Sequence, residues 1–177
     1  MNVFDAIKMR RSVRSYAAKP ISADVMTRIR NMLRLAPSAC NLQPWHFVLV
    51  TDAAVRQEIA QASHSQLWVA QAPLIVVGCG LVQQAYKKMG GCGNSVDVDV
   101  AIALDHLSLG SVAEGMGTCW IGAFDEIKVK ALLNIPDQFK VVAMMLVGYP
   151  ASAEMNHEET GSRKPETEIF STDRYGG

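Results

Sequence analysis

The sequence has few cysteines, and none are paired at a spacing typical of a structural site. The four of them, at positions 40, 79, 92 and 119, lie far apart and form no C-x-x-C pair. This pattern excludes a zinc ribbon and a dense disulfide framework. We therefore expect reduced thiols, no metal site and a cytoplasmic protein.

A net charge is also missing. Seventeen basic residues balance seventeen acidic ones, so no overall field attracts the chain to nucleic acid or to an anionic membrane. Charged residues make up 19% and apolar residues 49%, which excludes a disordered chain. A length of 177 residues favours one domain, which we expect to span residues 1–177.

Long uncharged apolar runs are absent. The most apolar segment, residues 96–112, contains Asp97, Asp99, Asp105 and His106, which predicts a buried helix and not a membrane span. At the amino terminus, the basic cluster follows a short apolar stretch, which is the reverse of a signal peptide. We expect no membrane partner.

Capping residues and apolar periodicity predict five helices around one small sheet. Asn2, Ser22, Asp52 and Asp125 are suited to begin helices, and a long helix is predicted over residues 97–116. Apolar runs predict strands at 46–50, 74–77, 118–121 and 141–147, and the second of these ends at Gly78. Helices outnumbering strands in this way predict a three-layer α/β or α+β sandwich.

The last 27 residues, 151–177, have little apolar periodicity. One interpretation is a free tail. The other is an arm that becomes ordered by lying on a partner subunit.

Two basic clusters could bind an oxyanion. Arg10, Arg11, Ser12 and Arg14 place three forked donors and a hydroxyl within five residues, which suits a phosphate. The alternative is a solvated surface at a helix carboxyl end. The pair Arg163–Lys164 is a second basic spot, or a solvated charge pair, and it could share one phosphate with the first cluster.

Two loops could contact a flat ligand. Ser38, Asn41 and Gln43 lie between two prolines and could hydrogen-bond the edge of a heterocycle or a polyol, although ordinary turn chemistry explains them as well. Gly122 and Ala123 follow a predicted strand, where small side chains expose backbone N–H groups, or where they simply form a turn. The glycines of residues 115–122 do not fit a dinucleotide fingerprint, because they follow a helix.

Cys79 lies between two glycines after a strand and could be an exposed nucleophile. The full nucleophile-elbow pattern is absent, which favours a buried structural cysteine. A cysteine-dependent hydrolase that uses Cys79 remains an alternative function.

Taken in order along nearly the whole chain, five segments resemble the nitroreductase family of FMN-dependent oxidoreductases. The segments are Arg10–Arg14, Ala36–Phe47, Gly117–Phe124, Val147–Pro150 and Arg163–Pro165. The resemblance implies an α+β, three-layer α-β-α sandwich with a central, mostly antiparallel sheet surrounded by helices. It also implies an intertwined homodimer with two FMN sites at the subunit interface. Residues from about 151 to 177 would then be a carboxyl-terminal arm that packs on the partner.

The resemblance also assigns site residues by position. Arg10, Ser12 and Arg163, with Lys164 as a helper, would hold the FMN phosphate and its surroundings, and Arg14 would approach the pyrimidine side of the flavin. Arg11, in the same segment, is also expected to bind the cofactor. Gly122 and Ala123 would face flavin N5, and Gln66 would lie near the ring. A loop of the other subunit would contribute four residues: Pro37, Ser38, Ala39 and Asn41. The region around Gly90–Gly93 replaces a segment that helps to wall the substrate pocket in longer members.

The function implied by the resemblance is ping-pong hydride transfer. NADH or NADPH would reduce tightly bound, non-covalent FMN at N5, and an electron-poor acceptor such as a nitroaromatic or a quinone would reoxidise it. No catalytic side chain is expected, because the flavin carries the chemistry. The alternative with the same cofactor is a module that binds or senses FMN without turnover.

Overall fold

A computed structural model describes residues 1–152 and 163–176 of the chain. The helices and strands alternate irregularly along the sequence, and two short 3₁₀ turns, Ala39–Asn41 and Leu67–Gln71, connect some of them. The helices are α1 (Val3–Met9), α2 (Ala23–Arg34), α3 (Ala53–Ala62), α4 (Val96–Ala113), α5 (Glu126–Leu133) and α6 (Glu166–Ile169). The strands are β1 (Trp45–Val50), β2 (Leu74–Leu81), β3 (Gly117–Ile121) and β4 (Phe139–Gly148).

The predicted helix starts are confirmed, because the side chain at each one accepts a backbone hydrogen bond. Asn2 and Asp5 form a reciprocal capping box at α1. Ser22, Asp52 and Asp125 accept from the third residue beyond the cap in α2, α3 and α5. The long helix α4 begins one residue before and ends three residues before its predicted bounds.

The strand β2 continues to Leu81, past the end predicted at Gly78. A Cβ on Gly78 would come within 2.8 Å of Val100 Cγ1, so glycine is needed there for close packing of α4 on the strand. The prediction that β2 ends at Gly78 was therefore wrong, because this glycine allows close helix packing and does not end the strand.

One four-stranded sheet has the order β1-β2-β4-β3, and every neighbouring pair is antiparallel. Alternate β2 residues face opposite layers. Leu74 and Val76 pack with α2 and α4, whereas Ile75 and Val77 pack with α3 and α5. This arrangement confirms an α+β sandwich of three layers with an antiparallel central sheet. It leaves β1 and β3 as the two edges.

The predicted arm lies partly outside the described residues, because 153–162 and 177 are not among them. Residues 163–176 contain α6 and expose apolar side chains. Phe170 is 70% exposed, and Tyr175 is fully exposed. Within the described ranges, no helix is both long and apolar enough to cross a membrane.

Candidate functional site

The segment Arg10–Arg14 runs beside the outer edge of β3. Ser12 forms a parallel bridge with Thr118, and the Val13 N–H donates to the Thr118 carbonyl oxygen at 2.9 Å. Val13 is buried and packs against Gly117, which has no side chain to obstruct it. The side chains of Ser12 and Arg14 remain exposed on either side of this anchor.

Three residues of this segment affect the pKa of the Cys119 thiol. Burial raises the pKa of Cys119, while the Arg14 charge, a hydrogen bond with Ser12 and the Arg10 charge lower it. The guanidinium carbon of Arg14 also lies 5.9 Å from the ring centroid of Trp68. Arg10, Ser12 and Arg14 therefore lie close enough to Cys119 of β3 to act on its thiol.

Arg11 is turned toward the end of α1. Its Nη1 donates to the carbonyl oxygens of Lys8 at 2.7 Å and of Arg10 at 2.8 Å. This geometry stabilises a helix carboxyl end, where carbonyl groups lack helical partners.

Gln66 contacts the backbone just after the carboxyl end of β3. Its Nε2 donates to the Ala123 carbonyl oxygen at 3.3 Å and to the Ser63 carbonyl oxygen at 2.9 Å. Gly122 and Ala123 are exposed, and a Cβ added to Gly122 would meet no atom of the described residues within 4 Å. Open space therefore lies in front of the backbone at this point.

Together these residues form a group that we call the β3 cluster: Arg10, Ser12, Arg14, Gln66, Gly122 and Ala123. Gln66 precedes the 3₁₀ turn that carries Trp68, and Trp68 lies against Arg14. The cluster contains cations, a hydroxyl, an amide and open backbone, and it contains no carboxylate. Trp68 was missed by sequence reasoning, although its place two residues after Gln66 could have indicated it.

The loop that precedes β1, residues 37–44, is called the Pro37 loop below. Cys40, Asn41 and Gln43 have φ angles of 51°, 55° and 49°, in the left-handed region that non-glycine residues adopt uncommonly. The Gln43 N–H donates to Ser38 Oγ at 2.9 Å, and Gln43 Nε2 donates to Asn41 Oδ1 at 3.1 Å. The loop thus has a defined and unusual conformation.

The Pro37 loop and the β3 cluster belong to opposite edges of the sheet. The loop leads into β1, and two strands separate β1 from β3. Three strand spacings amount to about 14 Å. The sheet order therefore separates Pro37, Ser38, Ala39 and Asn41 from the β3 cluster within one chain.

The basic residues of the tail are exposed. Lys164 Nζ lies 3.9 Å from Glu168 Oε2 in the same segment, and Arg163 is the first residue of the described range 163–176. An exposed ion pair of this kind contributes little stability.

Cys79 does not have the environment of a nucleophile. It is 1% exposed, and burial raises its pKa to about 11. A thiol in this state is almost wholly protonated at neutral pH and out of contact with solvent. The structural reading of Cys79 is therefore supported, and no geometry favours a cysteine-dependent hydrolase.

The comparisons with known proteins agree with this architecture. The model of the nitroreductase family matches residues 7–92 and 68–149, which together cover most of the chain. The chain belongs to the nitroreductase family. The family and the fold implied by the sequence resemblance are thus confirmed.

Three individual proteins illustrate the similarity. The chain is 29% identical to an NADH dehydrogenase of Thermus thermophilus, over 80% of this chain and 83% of the relative. It is also 29% identical to a 5,6-dimethylbenzimidazole synthase of Rhodospirillum rubrum, over 80% of this chain and 78% of the relative. The solved structure of the NADPH:FMN oxidoreductase of Vibrio harveyi in complex with NAD+ matches with a TM-score of 0.86 and 25% identity, covering 100% of this chain and 79% of that one.

Proposed function

We propose that the protein is an FMN-dependent NAD(P)H oxidoreductase that acts as a homodimer. Each site would combine the β3 cluster of one chain with the Pro37 loop of its partner. The observation that carries this proposal is the placement of these two groups at opposite edges of one sheet. A second copy supplies the missing half, since a symmetric dimer forms two identical composite sites.

The chemistry of the β3 cluster fits FMN. Arg10 and Ser12 offer donors to the phosphate, and Arg163 and Lys164 would add cations from the tail. Arg11 would contribute only its long-range charge, because its guanidinium is directed to the α1 carbonyl groups. Open space in front of Gly122 admits a flat ring against the backbone, with Gln66 beside it. When bound, FMN would accept hydride at N5 from NADH or NADPH and pass it to an electron-poor acceptor such as a nitroaromatic or a quinone.

Arg14 would tune the reaction electrostatically. Its guanidinium is exposed on one side and lies 5.9 Å from the Trp68 ring on the other, so the tryptophan limits where the charge can move. A fixed cation on the pyrimidine side stabilises the negative charge that develops on reduction. No side chain of the β3 cluster needs to transfer a proton or attack the substrate.

Uncovered apolar surfaces support the dimer. On α1, Val3, Phe4 and Ile7 are each more than half exposed, as are Ile169 and Phe170 in the tail. Grouped exposed apolar residues of this kind mark interaction surfaces. A homodimer in which residues from about 151 to 177 form an arm on the partner would cover both groups.

The test is an anaerobic titration of the purified protein. A yellow protein with an FMN spectrum should be bleached by NADH or NADPH, and a quinone or a nitroaromatic should then restore the colour. A yellow protein that neither nucleotide bleaches would support a non-catalytic FMN-binding module. Formation of 5,6-dimethylbenzimidazole by the FMN-loaded protein would support the activity for which the Rhodospirillum rubrum relative is named. A protein with no affinity for FMN would overturn the proposal.

A further inference from the structure

A buried carboxylate connects α4 to the Pro37 loop. Asp99 lies in the first turns of α4 and is 2% exposed, although it has the charge expected of a surface residue. Its Oδ1 accepts from the backbone N–H of Ala39 at 2.9 Å. Its Oδ2 accepts from the Ser95 hydroxyl at 2.7 Å.

The Ser95 hydroxyl is itself fixed. Ser95 Oγ accepts from the Tyr86 N–H at 3.1 Å, and the Ser95 N–H donates to the Tyr86 carbonyl oxygen at 2.9 Å. A carboxylate oxygen can only accept, so the Ser95 hydroxyl proton is directed at Asp99, while one of the two Oγ lone pairs accepts from Tyr86. The carboxylate is therefore held in one orientation, with an oxygen facing Ala39.

The Pro37 loop needs such a hold. Cys40 and Asn41 follow Ala39 directly, and both have positive φ angles. Non-glycine residues persist in that region only where the surroundings fix them. The hydrogen bonds of Gln43 to Ser38 and Asn41 stay within the loop, so they shape it without attaching it to the fold.

We propose that Asp99 is a positioning residue that fixes the Pro37 loop for its contact with the FMN of the partner subunit. The proposal rests on the proposed function, because the loop is assigned there to the cofactor. Asp99 does not touch the cofactor in this scheme. It acts by holding the Ala39 backbone, so that the loop needs little reorganisation on binding.

The test compares Asp99→Ala with two matched variants. Asp99→Ala removes the acceptor of the Ala39 N–H, and it should weaken FMN binding about tenfold or more. Asp99→Asn keeps an oxygen for Ala39 and can donate to Ser95 Oγ, so its dissociation constant should stay within about threefold of the wild type. Asp97→Ala removes an exposed acid from the same helical turn, one that is ion-paired with Lys140, and should leave FMN affinity unchanged.

Hydrogen exchange on the FMN-free protein provides the second readout. In the wild type, the Ala39 amide should exchange about a hundredfold more slowly than an unprotected amide, and in Asp99→Ala residues 39–43 should lose protection. The wild-type measurement tests whether the Ala39 amide is held in a hydrogen bond, even if Asp99→Ala fails to fold. An unprotected Ala39 amide, or FMN affinity of a folded Asp99→Ala variant within about twofold of the wild type, would overturn the proposal. Absence of FMN binding by the wild type would instead contradict the proposed function, and the exchange data would still report on Asp99.

Discussion

Ser12 and Thr118 form a parallel β-bridge that attaches the first basic segment of the chain to the edge strand β3. More than a hundred residues separate them in sequence. The bridge leaves the Ser12 side chain exposed and places Arg14 near Cys119 and Trp68. The arginine-rich segment thus lies near Gln66, Gly122 and Ala123, while its Arg11 is directed to the carboxyl end of α1.

Replacing Arg14 with alanine should make bound FMN harder to reduce. Loss of the cation removes stabilisation of the charge that develops on reduction, so we expect the midpoint potential to fall by about 30 mV, or about 1.4 kcal/mol for a two-electron couple. The rate of reduction by NADH or NADPH should fall about tenfold. Spectroelectrochemistry and anaerobic stopped-flow absorbance measure the two effects.

Arg14→Lys is the matched control, because it keeps the positive charge and loses the forked geometry. In this variant the midpoint potential of bound FMN should lie close to the wild-type value. An unchanged potential and a normal rate in Arg14→Ala would show that the role assigned to Arg14 is wrong.

Substituting phenylalanine for Gly122 should abolish FMN binding without harming the fold. A Cβ at Gly122 meets no atom within 4 Å in residues 1–152 and 163–176, so the unfolding free energy should change by less than about 0.5 kcal/mol. The new ring would occupy the space assigned to the cofactor. Isothermal titration with FMN and urea unfolding check the two parts.

Gly78→Ala provides the contrast for Gly122→Phe. Its added Cβ would lie 2.8 Å from Val100 Cγ1, and overpacking of this kind costs about 1–3 kcal/mol. Full FMN affinity in Gly122→Phe would show that the cofactor does not lie against this backbone.

Stability should decrease in alkali because of Cys79. Burial raises the pKa of Cys79 from 9.0 to about 11, so the folded state retains a proton that the unfolded state has lost. The stabilisation is complete below pH 9 and disappears as the pH rises to 11, a change of about 2 kcal/mol. Urea unfolding at pH 8, 9, 10 and 11 measures it. In Cys79→Ala the unfolding free energy should decline less steeply with pH than in the wild type. Equal slopes in the two proteins would show that Cys79 does not cause the decline.

Removing residues 163–177 should separate the dimer. This truncation deletes the exposed Ile169 and Phe170 together with the basic pair Arg163 and Lys164. We expect sedimentation to show a lower mass, and FMN affinity to fall at least about tenfold. The double variant Arg163→Gln/Lys164→Gln, which removes only the two charges, should remain dimeric but bind FMN more weakly. A truncated chain that stays dimeric and binds FMN normally would show that residues 163–177 do not act as an arm on the partner.

Local signals in the sequence predicted much of the fold. The capping box of Asn2 and Asp5 depends only on residues three positions apart, so its pattern is visible in the chain. Alternation of Ile75 and Val76 between two buried faces follows from the β-branched run. Gly78 was misread because its role depends on Val100, which lies on a helix more than twenty residues later.

The candidate site could be predicted only in part for the same reason. Ordered motifs indicated Arg14 and Gly122 as candidates, but the contact of Arg14 with Trp68 depends on tertiary packing that no local spacing encodes. Asp99 was noticed only as a charge that excludes a membrane span. Its connection to Ala39 crosses sixty residues of sequence and became apparent only from the folded chain.

The most direct test of a site built from two chains uses mixed dimers. Gly122→Phe blocks the β3 cluster, and Asn41→Phe disrupts the Pro37 loop, so neither homodimer should bind FMN. When the two variants are co-expressed with different tags and purified through both, each mixed dimer has one site with both defects and one with neither. We expect about one FMN per mixed dimer. Mixed dimers that hold no FMN, with the wild type fully loaded, would contradict it, because both halves of the site would then come from a single chain.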